Sequence, residues 1–269
     1  MQVTIIDQPQ GPKTGDRLRT LLQDAVSGKY NKVVLMSAFA KRAGVARLQA
    51  ALAALKASSS TLTSIVGVDH NGTSKEAVDD LFKLSDKLFI VHSTRPDVTF
   101  HPKAYLFKGA TCATLLIGSS NFTAGGLFSN IELSVELTFD LPADATELAN
   151  ATSWATSLSD SSQPYIEEVT NQNLSALLAC LPNEVSIAAT FTSAATSQGS
   201  SGSNSGLNTF FGAGNFSAAP SVPGSNFGGQ PIVLAASARS GGIQAAVGQR
   251  SPRRPDLSLT AAVREMRTS

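Results

Sequence analysis

Apolar runs with the length of buried strands alternate with amphipathic helical stripes along the first part of the chain. This alternation restricts the fold more than any other feature. Val3–Ile6 is a short β-prone run, and Asp16–Ser27 follows with Leu18, Leu21, Leu22 and Ala25 at the i, i+3, i+4, i+7 spacing of one helix face. Lys32–Phe39 then reads as a buried strand, Val45, Leu48, Leu52 and Leu55 as a second helical face, and Leu62–Val68 as another buried strand. Thr73 and Glu76 have the Thr-x-x-Glu spacing of a capping box and predict a helix to about Lys83, with Leu88–His92 strand-like after it. Strands separated by helices do not form hairpins. They lie side by side in a parallel or mixed sheet with the helices packed on it.

From His101 the strands come closer together: Lys103–Phe107, Thr114–Ile117 and Ile131–Phe139, joined by short Gly- and Ser-containing loops. The last alternates, with Ile131, Leu133, Val135, Leu137 and Phe139 on one face and Glu132, Ser134, Glu136 and Thr138 on the other. A Glu on such a strand ordinarily belongs to the solvent face. Helices over about 143–157 and 164–181 are expected to close the domain. The expected fold class is α/β, a mixed β-sheet flanked by helices, over residues 1–184.

Charge divides the rest. From Val185 to Ala238 there is no Asp, Glu, Lys or Arg, and Ser, Gly, Asn and Ala dominate. This is linker chemistry, so residues 185–238 are expected to be an unstructured linker, with Phe210, Phe211, Phe216 and Phe227 as candidate docking points. Residues 239–269 are a short basic tail with 6 Arg against 2 acids, Arg250, Arg253 and Arg254 among them, too short for a core of its own. Residues 1–184 hold 15 Lys and Arg against 18 Asp and Glu. With a net charge of +1 over the whole chain, no strong field draws nucleic acid or an anionic membrane. No run approaches the roughly 18 apolar residues of a spanning helix, and Met1–Gln10 lacks the basic start and apolar stretch of a signal peptide. Cys112 and Cys180 are too few for a disulfide framework or a Cys-rich zinc site. The reading is a cytoplasmic protein with no metal and no cofactor.

Three stretches carry chemistry: Phe100-His101-Pro102-Lys103-Ala104-Tyr105-Leu106-Phe107, then Ile117-Gly118-Ser119-Ser120-Asn121-Phe122-Thr123-Ala124-Gly125-Gly126-Leu127, then Asn130-Ile131-Glu132-Leu133. If His101 continues the strand of Lys103, their side chains share a face. The Gly118–Asn121 loop follows a neighbouring strand and offers Ser119, Ser120 and Asn121 as donors. An imidazole, an ammonium, an amide and hydroxyls at strand ends suit a tetrahedral oxyanion such as phosphate. Lys103 supplies a point charge, Asn121 directed hydrogen bonds, and Glu132 a carboxylate able to orient the His101 ring.

These stretches resemble the phospholipase D superfamily, whose signature is His-x-Lys, four residues and Asp, followed by a Gly-Ser/Gly-Ser-x-Asn segment. The match covers roughly residues 30–140. The form His-Pro-Lys-x-Tyr-Leu-Phe, Ile-Gly-Ser-Ser-Asn-Phe-Thr-x-Gly-Gly-Leu and Asn-x-Glu-Leu is most similar to the nuclease-like branch, which includes metal-independent restriction endonucleases and modules attached to helicases. Ser37-Ala38-Phe39 and Gly67-Val68-Asp69-His70 resemble the same branch. One position departs: the signature Asp is Lys108 here.

The resemblance implies a phospholipase D-like fold and a metal-independent phosphodiesterase, a DNA endonuclease working through a phosphohistidine. His101, Lys103, Asn121 and Glu132 would be catalytic, and Ser119 and Ser120 would bind substrate. The family site uses two His-x-Lys motifs, and this chain has one. His70 and His92 have no Lys two residues on and are read as loop or strand-end residues. A complete site is therefore expected to need a homodimer. A tail of about thirty residues is too short to read sequence, so either a separate recognition or helicase subunit provides recognition, or cleavage is non-specific, or the chain is truncated. Two alternatives stand beside this reading: a catalytically weak or inactive module for dimerisation or phosphate binding, and a lipid phosphodiesterase. No amphipathic basic helix supports a membrane partner.

Overall fold

The computed structural model describes residues 1–184 and 206–212. The expected linker at 185–205 and 213–238, and the basic tail 239–269, lie outside the described residues.

A mixed sheet of eight strands runs through the domain in the order β1-β7-β6-β5-β2-β3-β4-β8. The strands are β1 (Gln2–Gln8), β2 (Lys32–Ser37), β3 (Thr61–Gly67), β4 (Lys87–Val91), β5 (Lys103–Lys108), β6 (Cys112–Gly118), β7 (Glu132–Asp140) and β8 (Ile166–Glu168). β2, β3 and β4 are parallel neighbours, and the other pairings are antiparallel. The crossovers are α1 (Thr14–Val26), α2 (Arg42–Lys56) and α3 (Lys75–Leu84), and α4 (Ala145–Ser157) and α5 (Leu174–Ala179) follow the strands. The helical stripes read in the sequence are the buried ones. Leu18, Leu21, Leu22 and Ala25 of α1 and Val45, Leu48, Leu52 and Leu55 of α2 join the core on one face of the sheet, with residues of α3 and α5. On the other face Leu148, Ala151, Trp154 and Leu158, from α4 and its C-terminal end, pack on Val34, Met36, Ile65 and Leu106.

Several expectations need correction. The stretch 164–181 is not one helix: it gives β8, paired with β4, and only then α5. The helix after Thr73 is capped one residue later. Ser74 accepts from the Ala77 N–H at 3.3 Å, while the Thr73 hydroxyl donates to Gly67 O at 2.6 Å and accepts from the Ala40 N–H at 3.0 Å, tying β3 to the chain after β2. Glu184 caps α2: its carboxylate accepts from the backbone N–H groups of Arg42 and Ala43 at 2.6 and 3.2 Å and from the Ser74 hydroxyl at 3.1 Å. A carboxylate there meets orphan donors and the positive end of the helix dipole. Within the uncharged stretch, Leu207–Thr209 forms one 3-10 turn and docks on the domain, burying Leu207 and Phe211. The reason is apolar area: two large side chains in a segment with no charge to keep in water.

The alternation of β7 departs from expectation over its first half, while Phe139 and Leu137 at its end join the core as expected. Glu136 is buried under α1, where Arg17 Nε and Nη2 each donate to its carboxylate at 2.6 Å. On the other face Leu133 is 57% exposed. Directly paired neighbours extend that uncovered surface: Ile5 of β1 opposite Val135, and Ile117 of β6 opposite the same residue. Val3 and Ile5 are 58% and 56% exposed. Among the described residues, no helix is long and apolar enough to cross a membrane.

Candidate active site

Because β5 runs against β2, it begins where the parallel strands β2, β3 and β4 end. β6 ends and β7 begins at that same edge. The sequence stretches picked out above therefore meet at the carboxyl ends of the parallel strands, where α/β sheets place their ligand sites.

His101 immediately precedes β5, with its side chain exposed. Lys103, only 5% exposed, turns its ammonium to the imidazole, with Nζ 2.8 Å from Nδ1 and 3.1 Å from Nε2, and donates to the His101 carbonyl at 2.8 Å. Partial burial holds the His101 pKa below its ordinary value, and the neighbouring positive groups Lys103 and His70 act in the same direction. Burial likewise lowers the Lys103 pKa, against the pull of the Glu132 carboxylate. Both causes favour the neutral imidazole, the form with a lone pair to offer.

The Gly-Ser-Ser-Asn loop is laced to the end of β2. Asn121 Oδ1 accepts from the Phe39 N–H at 3.2 Å, Ser37 Oγ accepts from the Phe122 N–H at 2.9 Å, and the Phe122 N–H also lies 3.1 Å from the Phe39 carbonyl. With its oxygen engaged, Asn121 has its two Nδ2 hydrogens left to give. Phe39 also packs edge-on against the His101 ring, with centroids 5.9 Å apart, so one residue braces both His101 and Asn121. From below, the Tyr105 hydroxyl donates to Ser120 O at 2.7 Å, and its full burial raises the phenol's pKa. Gly126 lets the π-helical turn Gly125–Ser129 approach: a Cβ there would sit 2.5 Å from Asn121 O.

The other predicted residues separate. Ser119 is exposed, and its hydroxyl bonds the Glu132 carboxylate. The second Glu132 oxygen accepts from Asn130 Nδ2 at 3.2 Å. Both of the hydrogen bonds found for Glu132 thus go to Ser119 and Asn130, and none to His101. Ser120, 1% exposed, points inward to Thr14 Oγ1 at 3.0 Å and Ser134 Oγ at 3.4 Å, so its side chain supports the loop and does not face the site. Lys108, at the position of the signature Asp, is exposed at the far end of β5. An open cleft of about 680 Å³ spreads from His101, Lys103 and Ser119 across Ile117 and Leu133 to Trp154 of α4. Among the described residues, no group of three or more His, Cys, Asp or Glu is arranged to hold a metal ion.

The sequence places Phe39, Tyr105 and Asn130 within the stretches picked out above, but gives none of them a role in the site. The signal that leads to Phe39 is its place at a parallel strand's carboxyl end, in Ser37-Ala38-Phe39.

No protein-family model matches this chain, and no curated protein matches it. Solved structures do. The phospholipase D family member Nuc from Salmonella typhimurium has a TM-score of 0.44 and 17% identity, over 63% of this chain and 99% of Nuc. NucT from Helicobacter pylori has a TM-score of 0.43 and 15% identity, over 58% of this chain and 94% of NucT. Phosphatidylserine synthase from Haemophilus influenzae has a TM-score of 0.41 and 11% identity, over 62% of this chain and 40% of the synthase.

Proposed function

We propose that this chain is a metal-independent phosphodiesterase, a nuclease that hydrolyses DNA through a phosphohistidine at a site shared by two copies. The observation that carries the reading is the His101–Lys103 pair. A lone-pair imidazole, its pKa lowered, lies against a buried ammonium and opens onto a cleft braced by the Gly-Ser-Ser-Asn loop. In this reading a phosphate seated there meets Lys103 Nζ on a non-bridging oxygen, where charge develops in the transition state, and Asn121 on the adjoining loop is the second donor.

In the first step a His101 ring nitrogen attacks phosphorus and the P–O bond to the leaving oxygen breaks. A proton from His101 of the second copy goes to that oxygen. In the second step water attacks phosphorus, its proton returns to the second copy's histidine, and the P–N bond breaks. Splitting one displacement into two is nucleophilic catalysis, and one histidine cannot be nucleophile and acid in the same step. Each chain supplies one such histidine. The uncovered face of Val3, Ile5, Ile117 and Leu133 borders the cleft, and an apolar surface of this kind suits a partner. We assign that partner as a second copy, because it brings the missing histidine to the same edge. Closed twofold pairing is the commonest assembly.

The deciding experiment compares wild type with His101→Ala on single- and double-stranded DNA and a chromogenic phosphodiester, in EDTA. Turnover by wild type alone is the expected result. Activity that vanishes in EDTA and returns with Mg²⁺ overturns the reading. Lys108 at the signature acid position favours a second reading, a phosphate-binding dimer without turnover. Phosphate binding abolished by Lys103→Ala, with no hydrolysis by wild type, would select it.

A further inference from the structure

The 3-10 turn Asp69–Asn71 leaves β3 beside the site, with His70 and Asn71 both in the left-handed region at φ 55°. Asp69 is buried there, and each of its carboxylate oxygens has work. Oδ1 accepts from the Ser93 N–H at 3.1 Å and lies 2.7 Å from His92 Nδ1, while Oδ2 accepts from the Phe100 N–H at 2.8 Å. Ser93 and Phe100 are the two ends of the loop that carries the chain from β4 to His101. One carboxylate therefore closes the base of that loop, and its second oxygen holds the residue directly before His101. His70 adds a tie from the same turn, its Nε2 lying 2.7 Å from Thr99 Oγ1. Gly67 lets Phe100 seat closely, since a Cβ there would be 2.7 Å from the Phe100 ring.

The far side of this clasp is held by a distant part of the chain. His92 is 8% exposed at its side chain, and its Nε2 lies 3.2 Å from Asn208 Oδ1. The Phe211 ring meets the imidazole edge-on at 5.3 Å. The docked turn is itself fixed, with the Gly212 N–H donating to Pro164 O at 2.6 Å and Leu207 fully buried.

We propose that Asp69 and His92 are positioning residues for His101, and that the docked segment 206–212 holds them in place. The inference rests on His101 being the nucleophile. A continuous line of contacts runs from Phe211 and Asn208 through His92 and Asp69 to the Phe100 N–H. Beside Phe39 and Lys103, which touch the ring, the base of the loop fixes the backbone that carries the nucleophile, and misplacement by about 1 Å costs on the order of a hundredfold in rate. Asp69 touches neither substrate nor reacting atoms in this arrangement and acts through the backbone.

The test uses the full chain labelled with ¹⁵N at its 3 histidines, comparing wild type, Asp69→Asn and Phe211→Ala. Two readouts are taken, steady-state kinetics on a chromogenic phosphodiester and the titration of the His101 imidazole by NMR. Lys103 and His70 are the charged groups that lower the His101 pKa, beside its burial. Both stay in the variants, so a changed midpoint reports a moved ring. In Asp69→Asn, kcat should fall about ten- to hundredfold with KM within about twofold, and the His101 midpoint should rise toward 6.5 as the ring gains water. Phe211→Ala should move both the same way by less. A lowered Tm with kcat and the His101 midpoint as in wild type, in both variants, overturns the proposal and leaves Asp69 a structural tie. Should Asp69→Asn fail to fold, Phe211→Ala decides alone. Should wild type turn over no phosphodiester, the proposed function has failed, and the NMR readout still decides whether Asp69 and Phe211 set the ring.

Discussion

The two faces of the sheet are finished differently. Under α1, α2 and α3 the polar groups are paired: Arg17 with Glu136, Tyr30 Oη with Thr114 Oγ1 at 2.9 Å, and Ser64 with Ser85 at 2.8 Å. On the other face α4 covers the middle of the sheet, and β1, β7 and β6 keep Val3, Ile5, Ile117 and Leu133 in the open. One strand, β7, shows the contrast by itself: Glu136 is sealed on one side, while on the other Leu133 is bare at the start of the strand and only Leu137 and Phe139 at its end are covered. Alternation specifies two faces of unlike polarity, but not which one water sees. A helix that brings its own counter-charge can claim the polar side.

The sharpest break comes from the chemistry at the open edge. His101→Ala should abolish turnover, and acid-labile, base-stable phosphate should be trapped on wild type but not on the variant. Lys103→Ala and Asn121→Ala should each lose about 10²–10³ in rate, as oxyanion donors do. Glu132→Gln should lose less, since its hydrogen bonds run to Ser119 and Asn130.

Next is the open face itself. A double change, Ile5→Asp with Leu133→Asp, should leave the circular dichroism spectrum intact and convert dimer to monomer in sedimentation, with turnover lost alongside. A fully active monomer would end the idea that this face serves the site.

The sealed face should respond in stability and not in assembly. Glu136→Gln leaves Arg17 facing a neutral partner, and since Arg17 is about a third exposed, the loss should be about 1–3 kcal/mol. Thermal unfolding measures it, with the sedimentation coefficient unchanged.

The smallest effect is on pH. With the His101 pKa depressed, the acid limb of kcat/KM should fall below 6.5 in wild type, because the ring stays neutral until that lower pH. Lys103→Met removes one of the depressing charges, so the limb should move up toward 6.5. A limb unmoved or shifted down would show that Lys103 does not set it.

Much of this architecture is legible in the sequence, because it follows from short-range pattern. The stripes of α1 and α2 and the runs of β2 and β3 are where periodicity puts them. His101 and Lys103, two residues apart, are brought together as expected, although β5 starts only at Lys103 and His101 lies before it. What periodicity does not reach is partnership between distant segments. The contact of Asn208 with His92 spans 116 positions, and nothing in either local sequence announces it. β8 is three residues long, too short for a pattern, and is a strand only because β4 offers an edge. Ser120 reads as a donor beside Ser119, yet one step along the chain turns its hydroxyl inward.

The Glu184 carboxylate at the start of α2 has a bearing on synthesis. The bond from Arg42 N–H to Glu184 spans 142 positions, so the ribosome delivers the helix long before it delivers the group that closes it. At about 5–20 residues per second, α2 exists for about 7–28 s before that carboxylate arrives, with the Ser74 hydroxyl, which accepts from the Arg42 N–H at 3.3 Å, as its earlier cap. Its early structure rests on its leucine stripe and that one hydroxyl, and the arrival of Glu184 acts as a latch. A chain released just short of that residue would hold these elements and lack the carboxylate that takes up Arg42, Ala43 and Ser74 together.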